Sequence, residues 1–103
     1  MVFDCRFLKN PNWEDGMKDL NGTNVEVKKY LNKDKSWAPF SKSLIKMLST
    51  LIPAFEREGK SYLSIGFGCT GGQHRSVFVA EKLYQHLLER DYDVKILHTI
   101  LQK

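Results

Sequence analysis

The sequence predicts a small α/β domain in which helices pack on a central, mostly parallel or mixed sheet of three or four strands. Short apolar runs bounded by turn residues alternate with longer segments whose apolar residues recur at helical spacing. In the C-terminal half, a strand, a helix and a strand follow one another within about forty residues, which is typical of a βαβ unit with a parallel crossover. A chain of 103 residues suits one core, so we expect residues 1–103 to form a single domain.

The N-terminal half is predicted to hold one strand and two helices. Residues 2–8 form a short apolar run that ends in turn residues, as expected of a strand. Asn24 is suited to cap a short helix over residues 25–31. Apolar residues at helical spacing predict a longer helix over residues 39–57, in which Pro53 is discordant because it removes one backbone hydrogen bond.

The C-terminal half is predicted to contain a strand over residues 61–67, a helix over residues 73–90 and a last strand over residues 94–101. The glycine-rich segment 68–72 connects the first two of these. The helix carries a stripe of apolar residues at helical spacing that we expect to be buried. This stripe comprises Val77, Ala80, Leu83, Tyr84, Leu87 and Leu88. Outside the stripe, Cys5 is expected to be a small strand residue in the core, and Trp13 and Trp37 are expected to be packing residues.

Composition excludes several classes of protein. Apolar residues make up 42% and charged residues 27% of the chain, values that are ordinary for a folded globular protein. No apolar run approaches the roughly 20 residues of a membrane span, and no signal peptide opens the chain. Cys5 and Cys69 are too few for a disulfide framework. We therefore expect a cytoplasmic protein with free thiols, no membrane partner, no metal and no cofactor.

The segment between the predicted strand at 61–67 and the helix after it has the features of an anion-binding loop. The first backbone N–H groups of a helix lack internal partners, and the helix dipole favours negative charge there. Glycines allow the backbone to approach a ligand closely. Thr70 and Ser76 supply hydroxyls, and the Arg75 guanidinium matches the geometry of phosphate oxygens. The sequence therefore predicts a phosphate cradle at a strand end.

Two chemical interpretations of this loop compete on the residues alone. Cys69 and Arg75 have the Cys-x5-Arg spacing of protein tyrosine phosphatases, in which a thiolate attacks phosphorus. Gly68 stands where those enzymes usually have histidine, and the general acid is not evident, with Asp4 and Asp15 as candidates. The other interpretation is a non-catalytic receptor. A nucleic-acid-binding module that uses the same anion site for backbone phosphates is a further alternative.

A second set of residues extends well beyond the loop and favours the receptor. These residues are Phe3-Asp4-Cys5-Arg6, Asn10-Pro11, Trp13 and Gly22, then Ser61-Tyr62-Leu63, Gly68-Cys69-Thr70-Gly71-Gly72, His74-Arg75-Ser76-Val77 and Ala80-Glu81. In order and spacing they resemble the C-terminal domain of the RapZ family, and the similarity runs over residues 2–98.

The resemblance implies a domain related to a phosphofructokinase subdomain. In that family the domain senses glucosamine-6-phosphate and binds small regulatory RNAs, which it presents to a ribonuclease. The sugar-phosphate site of the family carries over to Asp4, Arg6, Cys69, Thr70, Gly71, Gly72, His74 and Arg75. The loop itself adds Gln73 and Ser76 to the residues we expect to bind the ligand.

Departures from the family narrow these expectations. The chain contains no Walker loop, so we expect a stand-alone domain without the N-terminal nucleotide-binding domain and without ATP binding. Asn12 and Gln73 stand where histidine and lysine are expected. Well-known members of the family end in a strongly basic tail that contacts RNA, whereas residues 98–103 of this chain contain one lysine. We therefore expect weak, salt-sensitive RNA binding. The basic patch at residues 28–35 is interpreted as a solvated face. A protein partner and an oligomer stay open.

Overall fold

Helices and strands follow one another in the predicted order. The computed structural model describes residues 1–14 and 16–98. Its elements are β1 (Val2–Asp4), a 3-10 turn (Pro11–Trp13), α1 (Val25–Asn32), α2 (Trp37–Arg57), β2 (Gly66–Gly68) and α3 (Arg75–Glu89). The predicted α/β class is confirmed. None of the helices in the described ranges has the length and apolar character needed to cross a membrane.

The sheet in the described ranges consists of β1 and β2, which pair in parallel. The register sets Val2 opposite Gly66, Phe3 opposite Phe67 and Asp4 opposite Gly68. The Phe3 and Phe67 rings stack with their centroids 5.6 Å apart. A parallel sheet is therefore confirmed, while the predicted three or four strands and the relation to a phosphofructokinase subdomain are not.

The first strand is shorter than the predicted 2–8 because the chain turns directly after Asp4. The Asp4 carboxylate accepts a hydrogen bond from the Arg6 backbone N–H at 2.9 Å, an arrangement that bends the chain locally. The Leu8 N–H then donates to the Cys5 carbonyl. The apolar residues that follow Asp4 thus enter the core from a turn instead of a strand.

The other two predicted strands are also corrected. Residues 61–65 form no ladder, since β1 offers pairing only opposite Gly66–Gly68. Residues 94–98 are not a strand either, and 99–101 lie outside the described residues. Side chains hold segment 94–98 in place: Val94 packs against apolar residues, and the His98 ring nitrogen lies 2.8 Å from the Glu81 carboxylate on α3.

The helices match their predictions to within two residues at either end. The Asn24 side chain accepts the Glu26 backbone N–H at 2.9 Å and caps α1, as predicted. The second helix begins at Trp37 instead of residue 39 and keeps Pro53 inside it. The third begins at Arg75 instead of residue 73.

The core consists of two apolar clusters, with Phe40 and Phe67 packed against both. The first comprises Cys5, Leu8, Val27, Leu31, Trp37, Phe78 and Val79, and the second comprises Leu44, Leu48, Leu83 and Leu87. Cys5 is a core residue, as expected. Two expectations are wrong: Leu88 of the predicted stripe is 40% exposed, and Trp13, expected to pack, is 87% exposed.

Candidate anion-binding site

The parallel register brings the two parts of the predicted site to one edge of the sheet. Asp4 ends β1 opposite Gly68, which ends β2. The Cys5 N–H donates to the Gly68 carbonyl at 2.7 Å, so the two chains still lie side by side just past the strands. Because the carboxyl ends of parallel strands share an edge, Asp4 and Arg6 lie beside the loop that leads into α3.

The loop has a backbone that glycine favours and several unused donors. Gly71 and Gly72 have φ values of 79° and 64°, in the left-handed region that glycine adopts readily. In the described part of the chain, no protein acceptor bonds the backbone N–H groups of Thr70, Gly71, His74 and Arg75. Thr70 and Gly71 are exposed. The loop therefore offers the amides of two exposed residues, Thr70 and Gly71, shortly before α3, where the helix dipole favours an anion.

Cys69 lies inside this loop, and its sulfur accepts hydrogen bonds. The Ser76 backbone N–H donates to Sγ at 3.3 Å, and the Ser76 hydroxyl lies 3.2 Å from the same sulfur. Burial raises the pKa of the Cys69 thiol, but the hydrogen bonds from Ser76 and the Gly72 backbone, together with the charge of Arg75, outweigh it, so the pKa falls below its usual value. The loop thus favours the thiolate form of Cys69 more than water does.

Arg75 is buried, and its side chain ties the loop to the chain after β1. Its Nη1 donates to the carbonyls of Arg6 and Leu8, both at 3.1 Å. Within the described ranges, Nε and Nη2 donate to no protein acceptor. Neither atom is fully buried without a partner. The positive charge also lowers the pKa of Asp4 and Cys69. Arg75 therefore holds the two halves of the site together and keeps donors available.

Asp4 and Arg6 form an ion pair at the rim of the site. The Arg6 Nε donates to both carboxylate oxygens at 2.9 Å, and Nη2 lies 2.6 Å from Oδ2. Hydrogen bonding from Arg6 lowers the pKa of Asp4 to about 2, and Asp4 raises the pKa of Arg6. Both side chains are more than half exposed, so a ligand could reach either of them.

The side chains of Gln73 and His74 contact backbone carbonyls of the loop that precedes α1. The Gln73 amide donates to the carbonyls of Lys18 and Leu20, at 3.0 and 2.6 Å. The buried His74 ring lies 2.9 Å from the Met17 carbonyl. Both side chains fasten the preceding loop to the start of α3, so only their backbone groups are left to face a ligand.

Gly22, which the sequence marks only as one of the residues of the family resemblance, is a structural residue of the site. Its N–H donates to the Gln73 carbonyl at 2.9 Å. A Cβ at this position would overlap the backbone of His74 and of Phe78, 2.5 Å away from the Phe78 nitrogen. Only glycine therefore lets the loop of residues 16–24 lie directly on the first turn of α3. Its distance in sequence from the loop gave no local signal of this contact.

Two cavities in the described part of the chain lie away from the loop. One of about 170 Å³ lies at the other end of β2 and is lined by residues such as Phe55, Tyr62 and Ile65. Another of about 310 Å³ lies between α2 and α3, beside Leu48, His86 and Arg90. The polar groups that could recognise an anion converge elsewhere, so we place the candidate site at the loop and not in either cavity.

Fold and site together define an α/β domain with a glycine-containing loop between a strand and the start of a helix. Comparison with known proteins is more specific. The RapZ C-terminal domain family model matches residues 1–102, and the chain belongs to that family. This confirms the resemblance found in the sequence.

Three relatives illustrate the match, and each is named a nucleotide-binding protein. The one from Dinoroseobacter shibae is 48% identical over 103 residues, which cover 100% of this chain and 34% of the relative. The one from Roseobacter denitrificans is 50% identical over 98 residues, covering 95% of this chain and 33% of the relative. The one from Endomicrobium trichonymphae is 44% identical, covering 95% and 34%. The chain thus spans about a third of the length of these relatives.

Proposed function

We propose that this domain binds a phosphorylated small molecule at the loop of residues 68–76 and acts as a regulatory sensor or adaptor. A sugar phosphate of the glucosamine-6-phosphate type is the ligand we favour. The observation that carries the proposal is that the backbone amides of Thr70, Gly71, His74 and Arg75 have no protein acceptor in the described ranges, with Thr70 and Gly71 exposed. A phosphate group would satisfy several of these donors at once.

The phosphate is expected to rest on the backbone between Thr70 and Arg75. A hydrogen bond to a charged group contributes about 1.5–3 kcal/mol, and the helix dipole adds to it. Gly71 and Gly72 hold the amides in position through their positive φ. Nε and Nη2 of Arg75 would supply further donors, since Nη1 is already bound to the chain.

The rest of the ligand would meet the pair formed by Asp4 and Arg6. Asp4 is ionised at neutral pH, because its pKa is held at about 2 by Arg6. An ionised carboxylate accepts hydrogen bonds from sugar hydroxyls and attracts an ammonium group. A phosphorylated amino sugar presents both an anion and a cation, and so fits a loop of amides beside a carboxylate.

The role of sensor or adaptor is proposed from family membership. Relatives of this chain are named nucleotide-binding proteins, and a nucleotide also carries phosphate. In such a role the ligand changes how the domain contacts another macromolecule, which could be a protein, an RNA or a second copy of the chain.

The test is a thermal-shift screen with glucosamine-6-phosphate, other phosphosugars, nucleotides and inorganic phosphate. A ligand at 100 times its Kd should stabilise the fold by about 2.7 kcal/mol. Gly71→Ala should abolish the shift, because Ala resists the positive φ that places the amides. Gly59→Ala is the matched control: Gly59 has φ of 80°, its Cβ would also meet nothing within 4 Å, and it lies at the end of α2.

Equal loss of binding in both glycine variants would show that the effect is a general loss of stability. No shift with any phosphorylated compound at millimolar concentration would refute the proposal. A shift with nucleotides alone would keep the anion site and reject the sugar phosphate.

A cysteine phosphatase is the second candidate, and the environment of Cys69 favours it. The lowered pKa and the hydrogen bonds from Ser76 are what a nucleophilic thiolate needs. Asp4 is a poor general acid, however, since its low pKa leaves it ionised at neutral pH. Turnover of an aryl phosphate by the wild type that disappears in Cys69→Ser would establish the enzyme. Turnover that persists in Cys69→Ser would indicate a contaminant.

RNA binding is proposed to be weak and sensitive to salt. The positive excess lies on and after α1, at Lys28, Lys29, Lys33 and Lys35. Each lysine that contacts a single-strand phosphate adds about 0.7 to the salt slope. A filter-binding titration of a structured RNA at two salt concentrations measures this, and the fourfold lysine-to-alanine variant should lower the slope. Tight binding that survives roughly 200 mM salt would contradict the proposal.

A further inference from the structure

The two cysteines of the chain lie next to each other on neighbouring strand ends. The register runs from Val2 opposite Gly66 to Asp4 opposite Gly68, and the 2.7 Å hydrogen bond from the Cys5 N–H to the Gly68 carbonyl continues it. The next pair along this register is Cys5 and Cys69. The fold therefore brings together two thiols that are 64 residues apart in sequence.

Their side chains contact the same apolar cluster. Phe3 and Phe67 are paired in the register, and their rings stack at 5.6 Å. Cys5 and Cys69 stand two positions further on, one residue past the strand ends, and Phe67 packs against the same apolar cluster as the two cysteines. Cys5 is part of the first apolar cluster, and Cys69 packs against the same cluster. Neighbouring strands lie roughly 4.8 Å apart, and disulfides require a Cα separation of about 4.4–6.8 Å.

We propose that Cys69 and Cys5 are a redox modification site, at which a peroxide converts the two thiols into a reversible intramolecular disulfide. Cys69 is the thiol that reacts first, and Cys5 is the one that resolves the product. The disulfide does not depend on the proposed function of the loop.

The environments of the two thiols assign these roles. Cys69 is half-buried and receives the Ser76 and Gly72 hydrogen bonds that favour its thiolate. Cys5 is fully buried, and burial raises its pKa to about 12, which keeps it a thiol. Solvent peroxide therefore reaches and reacts with Cys69 much more readily than with Cys5.

The chemistry balances in two steps. The Cys69 thiolate attacks one peroxide oxygen, the O–O bond breaks, and the products are a sulfenic acid and hydroxide. Cys5 sulfur then attacks the Cys69 sulfur, its proton leaves with the sulfenic oxygen as water, and the S–S bond forms. The peroxide is reduced and both sulfurs are oxidised.

Oxidation would alter the anion loop, and this consequence alone rests on the proposed function. In the reduced protein, Cys69 sulfur accepts the Ser76 N–H and lies beside the Ser76 hydroxyl. A bond to Cys5 draws the sulfur towards β1, so those contacts are lost and the loop changes shape. We expect the disulfide to weaken phosphate binding, and a thiol reductant to restore it.

The test is stepwise oxidation of the 103-residue chain with hydrogen peroxide, followed by unfolding, thiol alkylation and intact mass measurement. The expected product has lost two hydrogens, has gained no oxygen and takes up no alkylating reagent. Dithiothreitol should restore both alkylation sites. Size-exclusion chromatography without reductant should show no increase in mass, since the bond forms within one chain.

Cys5→Val is the control variant, with Cys5→Ala as a second in case the larger side chain is not tolerated. Either should halt oxidation at Cys69 with added oxygen, because the resolving thiol is absent. The inference is overturned if the wild type also stops at oxygenated Cys69, or if the disulfide joins two chains. A disulfide that forms without any effect on phosphate-induced thermal shift would uphold the site and reject the link to the loop.

Discussion

The two ends of β2 differ in what they offer a ligand. At the carboxyl end, the loop after Gly68 presents amides, a buried guanidinium and an ion pair, and it contains neither cavity. At the amino end, a cavity of about 170 Å³ is lined mainly by apolar side chains such as Ile52 and Phe55. The apolar amino end has the cavity, whereas the polar carboxyl end has the unused hydrogen-bond donors. Recognition of an anion depends on donors, so the carboxyl end of β2 is the better candidate.

The carboxyl end is also the part of the fold in which backbone approaches backbone. The loop of residues 16–24 lies directly on the start of α3 through Gly22. At the amino end, by contrast, residues 61–65 form no ladder. Variants at tightly packed and at open positions should therefore differ in their effects.

Gly22→Ala is expected to cause the largest loss of stability, about 3 kcal/mol or more, at the upper end of what overpacking costs. The added Cβ would overlap the backbone of His74 and Phe78, which cannot rotate away. Urea denaturation measures the loss. Gly59→Ala is the control and should cost only about 1–2 kcal/mol, since it meets no neighbour and only its positive φ opposes alanine. Equal losses in the two variants would show that the contact at Gly22 is not tight.

Arg75→Met should lower the free energy of unfolding by about 2 kcal/mol even without a ligand. The Nη1 atom bonds the carbonyls of Arg6 and Leu8, and methionine would leave both without this donor. Arg57→Met, at the exposed end of α2, should stay within about 0.5 kcal/mol of the wild type. If Arg75→Met leaves the ligand-free protein as stable as before, Arg75 serves only the ligand.

The thiols should differ in their reactivity towards iodoacetamide as the pH is raised. The folded-state pKa of Cys69 lies below the usual 9.0, so its alkylation should rise with pH and reach half its maximum below pH 9. Cys5, with a pKa of about 12, should stay unreacted in the folded protein. Peptide mass analysis separates the two sites. Ser76→Ala should move the Cys69 profile to higher pH, because a hydrogen bond to the thiolate is lost.

The same shifts predict how stability depends on pH. Cys69 has a lowered folded-state pKa, so its contribution is complete above pH 9.0 and is lost as the pH falls through the folded-state value. Cys5 has a raised folded-state pKa, so its contribution to the free energy of unfolding is complete below pH 9.0 and is lost as the pH rises towards about 12. In the Cys5→Val variant, the decline in stability above pH 9 should therefore be smaller.

Local sequence predicted those parts of the molecule whose cause is local. Asn24 caps α1 because its side chain reaches an N–H only two residues away, and the positive φ of Gly71 and Gly72 follows from their lack of a side chain. Contacts between distant segments were not predictable in this way. The Arg75 bond to the Leu8 carbonyl exists only because the chain turns after β1.

The errors have the same origin. Trp13 was expected to pack because indoles usually do, yet it follows a turn that leaves it 87% exposed. Residues 94–98 have the composition of a strand but are held by side chains, among them His98 beside Glu81. A strand requires an unpaired edge of a neighbouring strand in the right register as well as suitable residues. Whether such an edge is present depends on the assembled fold.

The smallest effect on stability is expected from the rim of the site. Arg6→Ala removes an exposed ion pair, and exposed pairs add little because water screens them, so the urea midpoint should stay unchanged. The electrostatic change should nevertheless be measurable: without the hydrogen bonds from the Arg6 side chain, the pKa of Asp4 should rise from about 2 towards 3.8, although the backbone N–H of residue 6 still donates to the carboxylate. Carbon-detected NMR titration of the Asp4 carboxyl reports this shift, with the wild type as the reference. A pKa that stays near 2 in Arg6→Ala would mean that the backbone N–H of residue 6 and the charge of Arg75, and not the Arg6 side chain, set the charge of Asp4.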